Sequence, residues 1–174
     1  LVKEVLLADP LAQSRITNVS FTGTTGSNRS LAYFENGNGI GIHNGLILGT
    51  YAVENAEAPN TSSGGLGGGT SLTGDLHLTS IATASVQGGS ILQFDFQPYS
   101  ETVTFDFIFA SEEYPDYSNQ TVNDAFGFFI FEQGNPTNFT NIALFPNGDP
   151  VTINNSNWGY WRGGNTQAAF PAPL

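Results

Sequence analysis

The chain has 174 residues, of which 4 are Lys or Arg and 15 are Asp or Glu, so its formal net charge is −11. This charge repels nucleic-acid phosphates and anionic lipids, and no basic stripe offsets it. The chain has no cysteine, which excludes disulfides and thiolate metal sites. Many Gly, Ser, Thr and Asn residues, with 13% aromatic residues, favour a secreted or cell-surface β-protein.

The length predicts a single domain over residues 1–174. No apolar run is long enough to span a membrane, and no signal-peptide pattern is present. The chain also lacks methionine, so we expect a processed form or a piece of a longer protein.

The first part of the chain predicts one short helix followed by strands. The helix is Leu1–Leu7, and Pro10 is expected to end it, because the residue before a proline avoids helical backbone angles. The glycine-rich stretch 55–74 predicts a loop, and Asp75–Ala84 predicts either one helical turn or a strand. Alternating apolar residues predict strands at 16–21, Leu31–Glu35 and Ile91–Pro98.

The second part predicts two strands around a polar insert. In residues 103–110 large apolar side chains occupy every second position from Val103 to Phe109, and residues 125–131 are apolar on both faces, as in a central strand. Shorter strands are expected at 139–145 and 150–153, joined by a turn at Pro146–Asp149. Together these elements predict an all-β fold, an antiparallel β-sandwich of the jelly-roll type with one short N-terminal helix.

The polar insert between the two strands predicts a metal site. Within it, carboxylate and amide oxygens are concentrated, as Ca²⁺ requires, since calcium takes roughly six to eight oxygen ligands. The spacing does not match an EF-hand loop, and a solvated acidic loop is the alternative. The predicted ligands are Glu112, Glu113, Asp116, Asn123 and Asp124, with Asp75 as a further one; Asn119 and Asp106 are additional candidates.

An enzyme is the less favoured interpretation. Glu112 and Glu113 would not flank one glycosidic bond, because adjacent strand residues point to opposite faces. A pair of Glu113 with Asp124 or Asp106 remains geometrically possible. A hydrolytic triad needs a histidine near a nucleophile, and neither His43 nor His77 has a nucleophile motif nearby. We therefore expect both to be ordinary surface or half-buried histidines, and we expect no catalytic residues.

Aromatic residues in loop-like sequence suggest a second kind of site. They could stack on sugars or bind peptides, or they could simply pack over the edges of the sandwich. The candidates are Tyr114, Tyr117, Trp158 and Trp161. Asn-x-Ser/Thr sequons also occur, and they predict glycans only in a host that glycosylates secreted proteins.

The motif FIFASEEYPDY at 107–117, followed by NDAFGFFIF at 123–131, resembles the choice-of-anchor L domain family. The resemblance extends over residues 2–155, and residues 156–174 form a divergent tail. It implies a bacterial secreted or surface protein with an adhesive or structural role. Further strands expected from the family are lacking at the end, so we expect either a fragment or a sandwich completed differently.

These observations predict an extracellular, calcium-stabilised binding or structural module in adhesion or surface architecture. Its expected partners are other protein chains, including copies of itself, or surface glycans and peptides. Two alternatives remain: a self-assembling subunit of an extracellular filament completed by strand exchange, and a carbohydrate-binding module. Neither nucleic acid nor membrane insertion is expected.

Overall fold

The computed structural model describes residues 2–7, 10–57, 72–98, 100–111 and 121–156. In these residues the strands are short and pair antiparallel in four two-stranded sheets, with no closed barrel. The chain divides into two compact units, and the single-domain assignment stays a prediction. The first unit is Leu1–Asn60, Leu66–Thr73 and Gln87–Ile108, and the second is Thr61–Gly65, Gly74–Val86 and Phe109–Leu174.

The first unit begins with two short helices, α1 (Val2–Leu6) and α2 (Pro10–Ser14). The predicted N-terminal helix is confirmed, but Pro10 begins a second helix after the first has ended. Proline suits this first helical position because its fixed φ is already helical and its missing N–H would lack an intrahelical partner there. The Gln13 side chain donates a hydrogen bond to the Leu7 carbonyl over 2.8 Å, which joins the two helices.

Strand β1 (Ile16–Thr22) pairs with β4 (Ile91–Phe96), and both strands are confirmed. The register places Ile16 opposite Phe96 and shifts between Thr17 and Ser20, where Asn18 has a φ of 50°. The Asn18 amide donates to the Asp95 carboxylate over 2.7 Å, so this bulge is held by a side-chain contact. Ile16 is 3% exposed and lies in the core of the unit.

Strands β2 (Leu31–Phe34) and β3 (Gly45–Leu48) form the other sheet of the first unit. The connection between them contains a 3₁₀ turn at Gly37–Ile40. The Gly37 amide donates to the His43 carbonyl over 2.9 Å, and a side chain at position 37 would collide with the Ile42 carbonyl. Close backbone approach, as predicted for this glycine-rich stretch, therefore occurs at Gly37.

The described part of the second unit contains two helices and two small sheets. Strand β5 pairs with β8 and β6 pairs with β7, while the buried side chains of the unit include Ile81, Ala143, Val151 and Ile153. The predicted turn is present, since the Gly148 amide donates to the Phe145 carbonyl. The elements are α3 (Leu76–Ala82), β5 (Ala125–Phe126), β6 (Phe129–Phe131), β7 (Phe139–Asn141), β8 (Val151–Thr152) and α4 (Ile153–Ser156).

Two helices in this unit correct the prediction of a single N-terminal helix. Residues 76–82 are helical and Asp75 caps the helix, so of the two structures left open by the sequence this segment adopts the helix. The predicted strand at 150–153 ends after Thr152, since Ile153 begins α4.

The prediction of a strand at 103–110 is wrong for the described structure. These residues carry neither helix nor strand, and no described strand pairs with them. Val103, Phe107 and Ile108 are 42–46% exposed.

The prediction of one continuous strand at 125–131 is also wrong. The run divides into β5 and β6, which pair with different partners. Gly127 lies between them, and a side chain at that position would collide with the Phe129 ring. The absence of a side chain at Gly127 therefore lets the Phe129 ring fold back over the break.

Candidate functional site

The predicted acidic loop is described only at its two ends. Its central part lies outside the described residues, as do the predicted aromatic ligand-binding residues. Within the described residues, no group of three or more His, Asp or Glu side chains forms a metal-binding cluster. The predicted residues outside the description are Glu112, Glu113, Asp116, Tyr114, Tyr117, Trp158 and Trp161.

A side-chain hydrogen bond closes the base of this loop. The Ser111 hydroxyl donates to Oδ2 of Asp124 over 2.7 Å, and both residues are partly buried. These two residues immediately flank the segment 112–123, so its ends are held close together. Asp124 is fixed further by its own carbonyl, which accepts a hydrogen bond from the Ile153 amide over 2.9 Å. The Asp124 carboxylate therefore has a defined position beside the acidic segment.

Asn123 connects two helices beside Asp124. Its side-chain amide donates to the Ala82 carbonyl at the end of α3 over 2.7 Å, and its Oδ1 accepts from the Asn154 amide in α4 over 3.1 Å. Helix ends leave backbone carbonyls and amides without intrahelical partners, and Asn123 satisfies one of each. The residue therefore has a structural role in addition to the metal-ligand role predicted for it.

Asp75 lies at the other end of α3. Its Oδ1 accepts from the Leu78 amide over 2.8 Å, which is the hydrogen bond of a helix N-cap. Seven helical residues separate it from Thr83, and at 1.5 Å per residue the helix is about 10 Å long. The structure thus brings Asn123 and Asp124 together at one end of α3 and places Asp75 at the opposite end.

His77 is half-buried against three phenylalanines of β6 and β7, which fits the prediction of an ordinary histidine. Its ring lies 5.5 Å from Phe131 in a stacked arrangement and 4.5 Å from Phe139 in an edge-on one. Nε2 lies 2.9 Å from the Pro136 carbonyl, which can only accept, so Nε2 carries the donated hydrogen. This side chain holds α3 to the β6–β7 hairpin.

A shallow groove of about 490 Å³ in the first unit was missed from the sequence. It is formed by residues 40–42 and 105–108, and we call it the Asp106 groove. The two segments are more than sixty residues apart, so their proximity arises only in the folded chain. The signal for this groove in the sequence was the group of hydrophobic residues at 103–110. Their alternation predicted a strand buried on one face, so the groove was not expected.

The chain belongs to the choice-of-anchor L domain family, whose model matches residues 1–171. The match thus extends beyond residue 155 to nearly the whole chain. Membership makes the chain a surface-associated protein module of bacteria. No curated protein and no solved structure matches it. Among the described residues, no helix combines the length and the hydropathy needed to cross a membrane.

Proposed function

We propose that the chain is an extracellular, calcium-stabilised module that acts by binding or as part of the surface architecture, without turnover. Family membership supports the surface location, and the closed base of the acidic loop supports the calcium site. The finer fold proposed is a β-sandwich of the jelly-roll type, built from the described strand pairs together with the remaining residues.

The hydrogen bond between Ser111 and Asp124 is the observation on which the calcium proposal chiefly depends. Holding the two ends of the loop together lowers the entropy lost when the loop closes around an ion. Asp124 has lone pairs beyond the one that accepts from Ser111, and a carboxylate can bridge a hydroxyl donor and a cation. The proposed ligands are Glu112, Glu113, Asp116, Asn123 and Asp124.

A calcium-dependent change in thermal stability tests the proposal. A ligand that binds only the folded chain stabilises it, and calcium at one hundred times its Kd contributes about 2.7 kcal/mol. For a chain of this length we expect calcium to raise Tm by about 5–10 °C relative to a chelator. Equal Tm values in calcium and in chelator would refute the proposal.

Two matched variants locate the ion. Asp124→Asn keeps an oxygen acceptor for Ser111 but removes the charge, so most of the calcium-dependent shift should disappear. Asp75→Asn removes the same charge and preserves helix capping, because Asn and Asp cap equally well. The calcium-dependent rise in Tm should persist in Asp75→Asn, since Asp75 lies at the far end of α3. An equal loss in both variants would place Asp75 among the ligands.

Strand exchange into a filament is a second candidate. The described residues form two-stranded sheets, and a sheet edge can invite the addition of a strand from a neighbour. Light scattering at increasing protein concentration tests it, and a monodisperse monomer at every concentration would argue against it.

A carbohydrate-binding role would depend on Tyr114, Tyr117, Trp158 and Trp161 and remains a prediction.

A further inference from the structure

The Asp106 groove presents apolar side chains to solvent on both sides. Ile40 is 58% exposed on one side, and Phe107 and Ile108 are 42% and 46% exposed on the other. Isolated exposed hydrophobic residues are ordinary, but several around one depression are typical of a contact surface. The volume of about 490 Å³ would accommodate a few side chains of a partner.

A single carboxylate lies among these exposed apolar side chains. Asp106 is exposed and is the one ionisable side chain among the described residues that line the groove. An apolar partner side chain would complement the exposed Ile40, Phe107 and Ile108, and a cation would complement Asp106. The groove therefore favours an occupant that combines aliphatic side chains with Lys or Arg.

The charge of the whole chain indicates which occupant this is. Each copy has a formal net charge of −11 with only 4 Lys or Arg residues, so two copies repel each other. Among these cations, Arg29 is already paired with Glu54 over 2.7 Å. A second copy would therefore bring few cations to Asp106, whereas a basic segment of a different protein is attracted over a distance.

We propose that the Asp106 groove binds a short segment of another protein in which Lys or Arg alternates with aliphatic residues. The cation contacts Asp106, and the aliphatic side chains contact Ile40, Phe107 and Ile108. This inference names the partner class of the proposed binding module and rests on that binding role. It does not depend on calcium, because Asp106, although an additional candidate ligand in the sequence, is not among the five ligands of the calcium proposal.

Fluorescence anisotropy with three labelled hexapeptides tests the inference. The first alternates valine with lysine, the second replaces lysine with glutamate, and the third replaces valine with serine and keeps the lysines. The valine–lysine peptide should bind at least about tenfold more tightly than either of the others, because it alone matches both the walls and the charge. Equal binding of the serine–lysine peptide would show non-specific attraction to the acidic surface and would overturn the proposal.

Variants of the full chain show whether this peptide binds in the groove. Asp106→Asn should weaken binding about threefold, the usual size of one exposed ion pair. Phe107→Ser should weaken it about tenfold through lost apolar contact. Glu57→Gln is the matched control, since it removes the same charge from an exposed position in the same unit outside the groove. Equal effects of Asp106→Asn and Glu57→Gln would overturn the proposal.

The effect of salt on binding and on self-association distinguishes a basic peptide from a second copy of the chain as the occupant of the groove. Raising the ionic strength screens attraction to a basic peptide and also screens repulsion between acidic copies. We therefore expect peptide affinity to fall with salt while the chain stays monomeric by light scattering. Salt-induced self-association that is abolished by Phe107→Ser would assign the groove to a second copy and overturn the proposal. Repeating the peptide titration in chelator measures binding to the groove without calcium. A failure of peptide binding can then be told apart from a failure of calcium binding.

Discussion

Residues 91–96 and 103–110 both place large apolar residues at every second position, over 92–96 and 103–109. The first segment is strand β4, whose register against β1 places Phe96 opposite the buried Ile16. The second segment has no described strand beside it, and Phe107 remains 42% exposed. The difference shows that an alternating sequence makes a chain suitable for a sheet but does not by itself make it a strand.

The largest expected effect comes from removing the buried contact that distinguishes β1–β4. Ile16→Ala should lower the free energy of unfolding by about 2–5 kcal/mol, because it leaves a cavity in a well-packed site. Urea denaturation monitored by tryptophan fluorescence or circular dichroism measures the change. Val103→Ala is the control, and as a surface substitution it should change stability by less than about 0.5 kcal/mol. A comparable loss for Val103→Ala would show that 103–110 is packed like β4 in solution.

A smaller loss of stability is expected at Asn123, where side-chain hydrogen bonds, rather than strand pairing, hold the chain in position. Asn123→Ala removes the contacts to the Ala82 carbonyl and the Asn154 amide, so stability should fall by about 1–2 kcal/mol. The exposed Asn138→Ala, in the same unit, should have little effect. If the two variants unfold at the same urea concentration, Asn123 does not hold α3 and α4 together.

The smallest effect on stability is expected at Asp75–Ala84, the segment whose sequence allowed either a helical turn or a strand. Asp75→Ala removes the N-cap of α3 and should cost about 1 kcal/mol, whereas Asp75→Asn should cost almost nothing. Thermal unfolding in chelator measures the contribution of the Asp75 cap to stability without any effect of a bound metal. Equal destabilisation by the two substitutions would mean that the charge of Asp75, and not its hydrogen bond to Leu78, matters for stability.

The candidate site was predictable from the sequence only in part. The grouping of acidic residues at 112–124 and the family motif are visible in the sequence, because nearby residues stay nearby in any fold. The contact from Asn123 to Ala82 spans forty-one positions, and the two sides of the Asp106 groove come from distant segments. Such contacts depend on how the elements pack, which local sequence does not encode.

By itself the sequence determined the acidic charge, the absence of cysteine, the family, and the strands whose alternation is matched by a partner, such as β1 and β4. Tertiary structure decided that 103–110 remains outside the described strands, that Gly127 divides 125–131, and that Asp75 and Asn123 occupy opposite ends of α3. The physical reason is the same in each case. Side-chain alternation expresses a local preference, while pairing, ring packing and helix capping require particular neighbours to be present.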